Sequence, residues 1–254
     1  MPRPPARLFI EVALDAQEII NLDAARSHYL VNVMRLGQGD GLSIFTGRQG
    51  EWNAVIEAAT KKGCKIRIAN KSRSQVPEPD LWLVFAPVKK TGTNFIVEKA
   101  TELGVSRLCP VFTKNTKTGR INHDRFRATA VEAAEQCRRL TVPDIDQACL
   151  LTEALTKWPA DRTLLMADES GGGVPITQLA DKQRIVGKTS MPTHGVLIGP
   201  EGGFTDAEWE QLRQLKFVTL IDLGPRILRA ETAALSALAC WQALIGDWYG
   251  QSHH

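Results

Sequence analysis

The sequence predicts an α/β protein: a mostly parallel sheet covered by helices on both sides, preceded by a small antiparallel β-barrel or sheet. Three observations predict it. Between residues 42 and 69, three short runs alternate apolar and polar residues in period two and are separated by turns. From residue 81 onward, apolar runs of strand length alternate with helix-length stretches, as in strand–helix–strand units. Near the C-terminus, two apolar runs each break at Gly-Pro (Gly199-Pro200 and Gly224-Pro225) and restart as a helix.

Taken in order, residues 2–8 are rich in Pro and Arg and read as extended, and 8–12 reads as a strand. Residues 23–30 read as a short helix with Asp23 as its cap. A turn is expected at 37–41, which holds three glycines, followed by strands at 42–45, 52–57 and 64–69. In the last of these, Cys64, Ile66 and Ile68 fall on one face and Lys65 and Arg67 on the other. The polar, proline-bearing stretch 71–79 marks a boundary, giving domains 1–74 and 75–254. Strands follow at 81–86, 105–112 and 163–167, with helices at 94–103 (stopped by Gly104), 124–139 and 152–158. The segment 114–120 is a basic loop, 169–173 is a Gly-rich loop, and a helix is expected near 176–182. Apolar runs at 196–198 and 218–223 read as buried strands. Thr205 with Glu208 forms a capping-box pattern, and an Ala-rich helix starts at Glu231. Its 233–245 stretch reads as core or as a dimer face.

Composition narrows the function classes. At 43% hydrophobic and 23% charged residues, the 254-residue chain is an ordinary globular sequence. No window holds 18 apolar residues, and the first fifteen residues lack the apolar core of a secretion signal, so no membrane association and a cytoplasmic location are expected. The five cysteines are scattered and read as reduced thiols, and the histidines show no metal-ligand spacing, so no metal is expected. Residues 1–75 hold 11 basic and 7 acidic residues, against 20 and 21 in the remainder. The positive excess lies in the first third, which points to a polyanion there.

Common nucleotide motifs are missing. There is no G-x-x-x-x-G-K-[ST], no G-x-G-x-x-G after a strand and no G-x-S-x-G elbow. The two Gly-Pro loops instead place charged residues among Gly and Leu at adjacent strand ends, a pocket for a polar small molecule.

At these residues the sequence resembles a known family. Leu197-Ile198-Gly199-Pro200-Glu201-Gly202-Gly203-Phe204 and Leu223-Gly224-Pro225-Arg226-Ile227-Leu228-Arg229-Ala230-Glu231-Thr232-Ala233 are similar to the paired cofactor loops of SPOUT-class methyltransferases, in the ribosomal small-subunit methyltransferase E family. Glu98-Lys99-Ala100-Thr101-Glu102-Leu103-Gly104-Val105 and the segment 132–139 followed by Val142-Pro143 resemble further family segments. Arg7-Leu8-Phe9, His28, Val33-Met34-Arg35 and Gly39-Asp40 resemble its leading RNA-binding domain. Gly92 and Asn94 depart from the family, which usually carries Lys and an acidic residue there, and 115–119 lacks the usual Arg.

The resemblance implies a PUA-like β-barrel, then a SPOUT-type parallel sheet closed by a trefoil knot. It implies a homodimer that uses S-adenosylmethionine to methylate N3 of a uridine in 16S rRNA of the small ribosomal subunit. Its cofactor positions map onto Leu197, Ile198, Gly199, Pro200, Glu201, Gly202, Leu223, Gly224, Leu228, Arg229, Thr232 and Ala233. Arg229 is the expected electrostatic catalyst; Glu201 and Glu231 are both candidates for the base, or else carboxylates that complement helix dipoles. Arg3, Arg7, Arg35, Lys89, Lys90 and Arg226 are expected phosphate contacts, with an ion pair as the other reading of Arg226 and Arg229. Two other functions fit the same motifs: a SPOUT methyltransferase acting on another RNA or on a ribose 2′-oxygen, and a non-catalytic RNA-binding adaptor.

Overall fold

The computed structural model describes residues 6–60, 63–180 and 192–248. They form two compact units: 1–77 with 134–142, and 78–133 with 143–254. Each is described separately.

The first unit is a five-stranded sheet in the order β1-β3-β4-β5-β2, from β1 (Ala6–Phe9), β2 (Ile19–Asn21), β3 (Gly41–Phe45), β4 (Glu51–Thr60) and β5 (Gly63–Arg73). No ladder joins β1 to β2 among the described residues, so the expected barrel is not closed by hydrogen bonds. The three strands expected to be antiparallel, β3, β4 and β5, are so, and β1 adds a parallel neighbour to β3. Parallel neighbours need a long crossover, and residues 10–40 provide it. That crossover includes β2 and a helix, α1 (Ala24–His28), capped by Asp23, whose side chain accepts from the Arg26 N–H at 2.8 Å. On β5 the period-two reading holds: Cys64, Ile66 and Ile68 are buried with Leu8, Leu42, Ile44 and Ile56, while Lys65 is exposed.

Strand β1 is buried on both faces, which corrects the expectation for Arg7. Ala6 and Leu8 face the core. Arg7 and Phe9 face residues 134–142, which return to this unit from far along the chain. The Arg7 guanidinium donates to Glu51 at 2.7 Å, to the Ala134 carbonyl at 2.7 Å and to the Arg139 carbonyl at 2.6 Å, and lies over the Phe45 ring. Burial lowers its pKa, partly opposed by Glu51. Every nitrogen of this group is engaged inside the unit, so Arg7 braces the scaffold instead of meeting a phosphate.

The second unit is a parallel sheet. Its strands are β6 (Leu81–Phe85), β7 (Arg107–Phe112), β8 (Asp144–Ile145), β9 (Cys149–Leu150), β10 (Thr163–Ala167), β11 (Val174–Pro175), β12 (His194–Ile198) and β13 (Val218–Asp222). Their order is β11-β13-β10-β12-β6-β7-β8, with β9 also on β7. The helices are α2 (Lys90–Glu102), α3 (His123–Cys137), α4 (Leu151–Thr156), α5 (Asp206–Gln214) and α6 (Ala230–Leu244). The division into units runs through α3, whose last turn belongs to the first unit. The helix expected near 176–182 opens with a 3₁₀ turn, Ile176–Gln178, and Leu179 and Ala180 are helical; its expected end lies outside the described residues.

Both faces of the sheet are covered, as the unbroken apolar runs require. On one face Val84, Leu164, Met166 and Leu197 pack with Leu151 and Leu155 of α4 and Leu212 of α5. On the other, α2 and α6 pack together, and α6 buries Ala230, Ala234, Ala237, Leu238 and Trp241 at helical spacing. Stretch 233–245 is therefore core in its own unit. Trp241 donates its indole N–H to His194 Nδ1 at 2.8 Å, and Gln242 donates to the Leu103 carbonyl at 2.7 Å, just before Gly104 ends α2 with φ of +78°.

Candidate active site

The carboxyl ends of four strands, β6, β10, β12 and β13, meet at one cavity of about 1160 Å³ in the second unit. In an open parallel sheet the ligand crevice lies outside these ends. Both Gly-Pro loops line it, so the two echoing motifs form one site.

The first loop, between β12 and α5, is braced on all sides. Gly203 N–H donates to the Pro200 carbonyl at 2.9 Å, closing a turn. Asn115 donates to the Gly202 and Gly203 carbonyls at 3.2 and 3.0 Å. The capping box forms as expected: Glu208 accepts from the Thr205 N–H at 2.9 Å, and also from the Lys114 N–H at 2.9 Å. Gly199 admits the Phe204 ring, which would stand 2.7 Å from a Cβ at that position.

The second loop, between β13 and α6, is held mainly at its start. Gly224 sits at φ of +110°, a conformation only glycine adopts freely, and its N–H donates to Asp222 Oδ1 at 2.8 Å. Beyond it Arg226, Ile227 and Arg229 are exposed, with Arg229 at the N-cap of α6. The start of α6 lines the cavity through Ala230, Glu231 and Ala233. Free N–H groups at such a helix start attract polar or negative ligand atoms.

Most of the sequence-derived positions converge here. Ile198, Gly199, Pro200, Glu201, Leu223, Gly224, Leu228, Arg229, Glu231 and Ala233 line the cavity, with Lys89 and Arg226. Three cofactor candidates do not. Leu197 is fully buried, because its side chain points to the sheet face covered by α4 and α5. Gly202 is turned against Asn115, and Thr232 is exposed on α6 outside the lining. Among the phosphate candidates, Arg35 is exposed in the first unit at φ of +58°, and Arg3 and the Lys90 side chain lie outside the described residues. The ion-pair reading finds no support: Arg226, Arg229, Glu201 and Glu231 have no ion-pair partner among the described residues. Lys99, by contrast, pairs with Glu98 and Glu102, both at 2.8 Å.

Sequence reasoning missed the loop after β10, which adds Asp168, Glu169 and Ser170 to the lining, and it missed Phe204, Trp209 and Lys117. Asp168 is buried, at 5% exposure. Its Oδ1 accepts from the Ser170 N–H at 2.8 Å and from the Ser170 hydroxyl at 2.6 Å, while its Oδ2 is buried with no partner. Leaving such an atom unsatisfied costs about 1–3 kcal/mol, which a ligand bearing hydrogen-bond donors would recover. A recess of about 180 Å³ adjoins the cavity on the β6 side, lined by Val88, Lys89, Asn115, Lys117, Thr118 and Glu201 among others. The departure at Gly92 also has a physical sense: a Cβ there would stand 2.8 Å from Val88 Cγ2 and 4.0 Å from Glu231 Oε2, which has no ion-pair partner among the described residues. Among the described residues no group of three or more His, Cys, Asp or Glu is arranged to hold a metal, and no helix is long and apolar enough to cross a membrane.

Comparison with known proteins agrees with this geometry. Residues 75–242 match the RNA methyltransferase domain model, and residues 22–69 match the RNA methyltransferase PUA domain model. The ribosomal RNA small subunit methyltransferase E of Rickettsia conorii is 32% identical over 92% of this chain and 93% of its own length. That of Synechocystis is 30% identical over 94% of this chain and 78% of its own. A Legionella pneumophila protein described as a methyltransferase, solved with bound S-adenosylmethionine, matches with a TM-score of 0.84 at 26% identity, over 96% of this chain and all of that one. The Neisseria gonorrhoeae family member superposes with a TM-score of 0.82 at 24% identity, over 96% of this chain and 100% of its own, and shows the shared fold. The chain belongs to the ribosomal RNA small subunit methyltransferase E family.

Proposed function

We propose that this protein transfers a methyl group from S-adenosylmethionine to N3 of a uridine in 16S rRNA of the small ribosomal subunit. The observation that carries the reading is the cavity at the strand ends, where both Gly-Pro loops meet and Glu201, Arg226, Arg229 and Glu231 have no ion-pair partner among the described residues. Family membership supports the reaction class, and the Legionella neighbour supports the cofactor. Asp168 Oδ2 fits it too, since S-adenosylmethionine carries hydroxyl and amino donors.

S-adenosylmethionine, when bound, supplies an electrophilic methyl on a sulfonium. The residues of the chain do the rest. Uridine N3 carries a proton at neutral pH and attacks only after losing it. Glu201 and Glu231 line the cavity as carboxylates free to accept that proton, directly or through water. Arg229 opposes the negative charge that then spreads over the uracil edge. The recess bearing Lys89, Lys117 and Glu201 receives the base and its flanking phosphate. The reading includes a knotted chain path, a cytoplasmic site of action and a homodimer, for which exposed Ile227 and Phe95 on the cavity lining supply apolar surface.

The test is transfer in vitro. Purified protein, S-adenosylmethionine and unmodified small subunits should yield 3-methyluridine on nuclease digestion. A 2′-O-methyl nucleoside in its place would overturn the base assignment. Binding of RNA without any transfer would favour an adaptor.

A further inference from the structure

We propose that Asp168 reads the ribose hydroxyls of the cofactor at the β10–β13 side of the cavity. This rests on the reading above that the cavity takes S-adenosylmethionine.

The carboxylate is already oriented for such a task. Its backbone N–H is tied to the Ile221 carbonyl at 2.9 Å, and Oδ1 is held twice by Ser170. That leaves Oδ2 buried, without a partner, in a side chain that lines the cavity. A scaffold acid would have both oxygens engaged, as Glu208 does. The neighbouring charges select the ligand group. Ala167 and Ile221 are paired in register, so Asp168 and Asp222 leave adjacent strands side by side, and Glu169 follows. The Asp168 and Asp222 carboxylates on this side call for hydrogen-bond donors, while that of Glu169 reaches the β12–α5 loop at Gly203.

The donors of the cofactor sit at its two ends, the ribose hydroxyls and the adenine amino group with the nucleoside and the ammonium with the amino-acid tail; deoxy analogues separate the first two. The topology separates these ends. The recess with Lys89 and Lys117 lies on the β6 side, across β12 from β10. The reacting base enters there, so the sulfur and its tail face that side. The nucleoside then falls to the β10–β13 side, where two vicinal hydroxyls can donate to one carboxylate.

Calorimetry on the full-length wild type and Asp168→Asn tests this with two ligands: S-adenosylhomocysteine, and methylthioadenosine, which keeps the nucleoside and lacks the tail. The amide keeps the shape of the side chain but loses one acceptor. We expect affinity to fall about tenfold or more for both ligands alike. Unchanged affinity for both would overturn the proposal. So would a loss confined to S-adenosylhomocysteine, which would assign Asp168 to the ammonium. A second measurement needs no variant: 2′-deoxy and 3′-deoxy forms of methylthioadenosine should bind the wild type more weakly than the parent, and equal binding contradicts the inference. If the wild type binds neither parent ligand, the cofactor reading itself falls.

Discussion

Arg7 and Arg229 are alike in sequence, each an arginine beside apolar residues and each expected to meet a ligand. The structure treats them in opposite ways. Arg7 is buried among Glu51, two carbonyls and the Phe45 ring. Arg229 caps α6 at the cavity, exposed and without an ion-pair partner among the described residues. The difference teaches where chemistry resides in this molecule. Polar groups that the protein satisfies itself build the scaffold, and those it leaves open line the cavity proposed as the site.

The two arginines should therefore fail differently. Arg7→Ala leaves Glu51 with only the longer Arg73 contact at 3.5 Å and strands two carbonyls, and should cost about 3 kcal/mol of stability, read as a lower urea midpoint. A variant of wild-type stability would break the comparison. Arg229→Ala should keep its melting temperature and lose about 10²- to 10³-fold in turnover; normal turnover would remove Arg229 from the mechanism.

A second satisfied group sharpens the contrast. His194 is buried and accepts from Trp241, and burial pushes its pKa down to about 4 from an ordinary value near 6.5, with Arg162 adding to the effect. The unfolded chain thus binds a proton here that the folded chain refuses. Stability from this group is complete above about pH 6.5, falls as pH drops toward 4 and changes no further below that. The total is on the order of 3 kcal/mol. His194→Gln should flatten that acid limb in melts taken from pH 7 to pH 4, and an unaltered limb would contradict it. The smallest effect belongs to the braced loop. Thr205→Ala removes one half of the capping box and should cost about 1 kcal/mol, seen as a small drop in melting temperature.

Much of this was legible in the sequence. Period two placed β3, β4 and β5, and strand-length apolar runs placed the parallel sheet and its covered faces. The Gly-Pro repeat located the loops that line the cavity because backbone restriction at those residues is local and acts wherever they occur. What failed depended on distant chain. Arg7 was misread because residues 134–142 cover the second face of β1, a contact no local pattern encodes. Asp168 was missed although its signal was present: a charged residue directly after the buried run 163–167, followed by glycines at 171–173, repeats the design of the other two loops without the proline. Leu197 and Thr232 lie outside the cavity lining because a motif names positions, while the pleat of a strand and the turn of a helix decide which side chains face the cavity.

The most direct test of the central claim is nucleoside mass spectrometry on 16S rRNA from cells with and without this protein. The account predicts that 3-methyluridine disappears in its absence and returns with the wild type but not with Arg229→Ala. Unchanged 3-methyluridine in cells lacking the protein would contradict it.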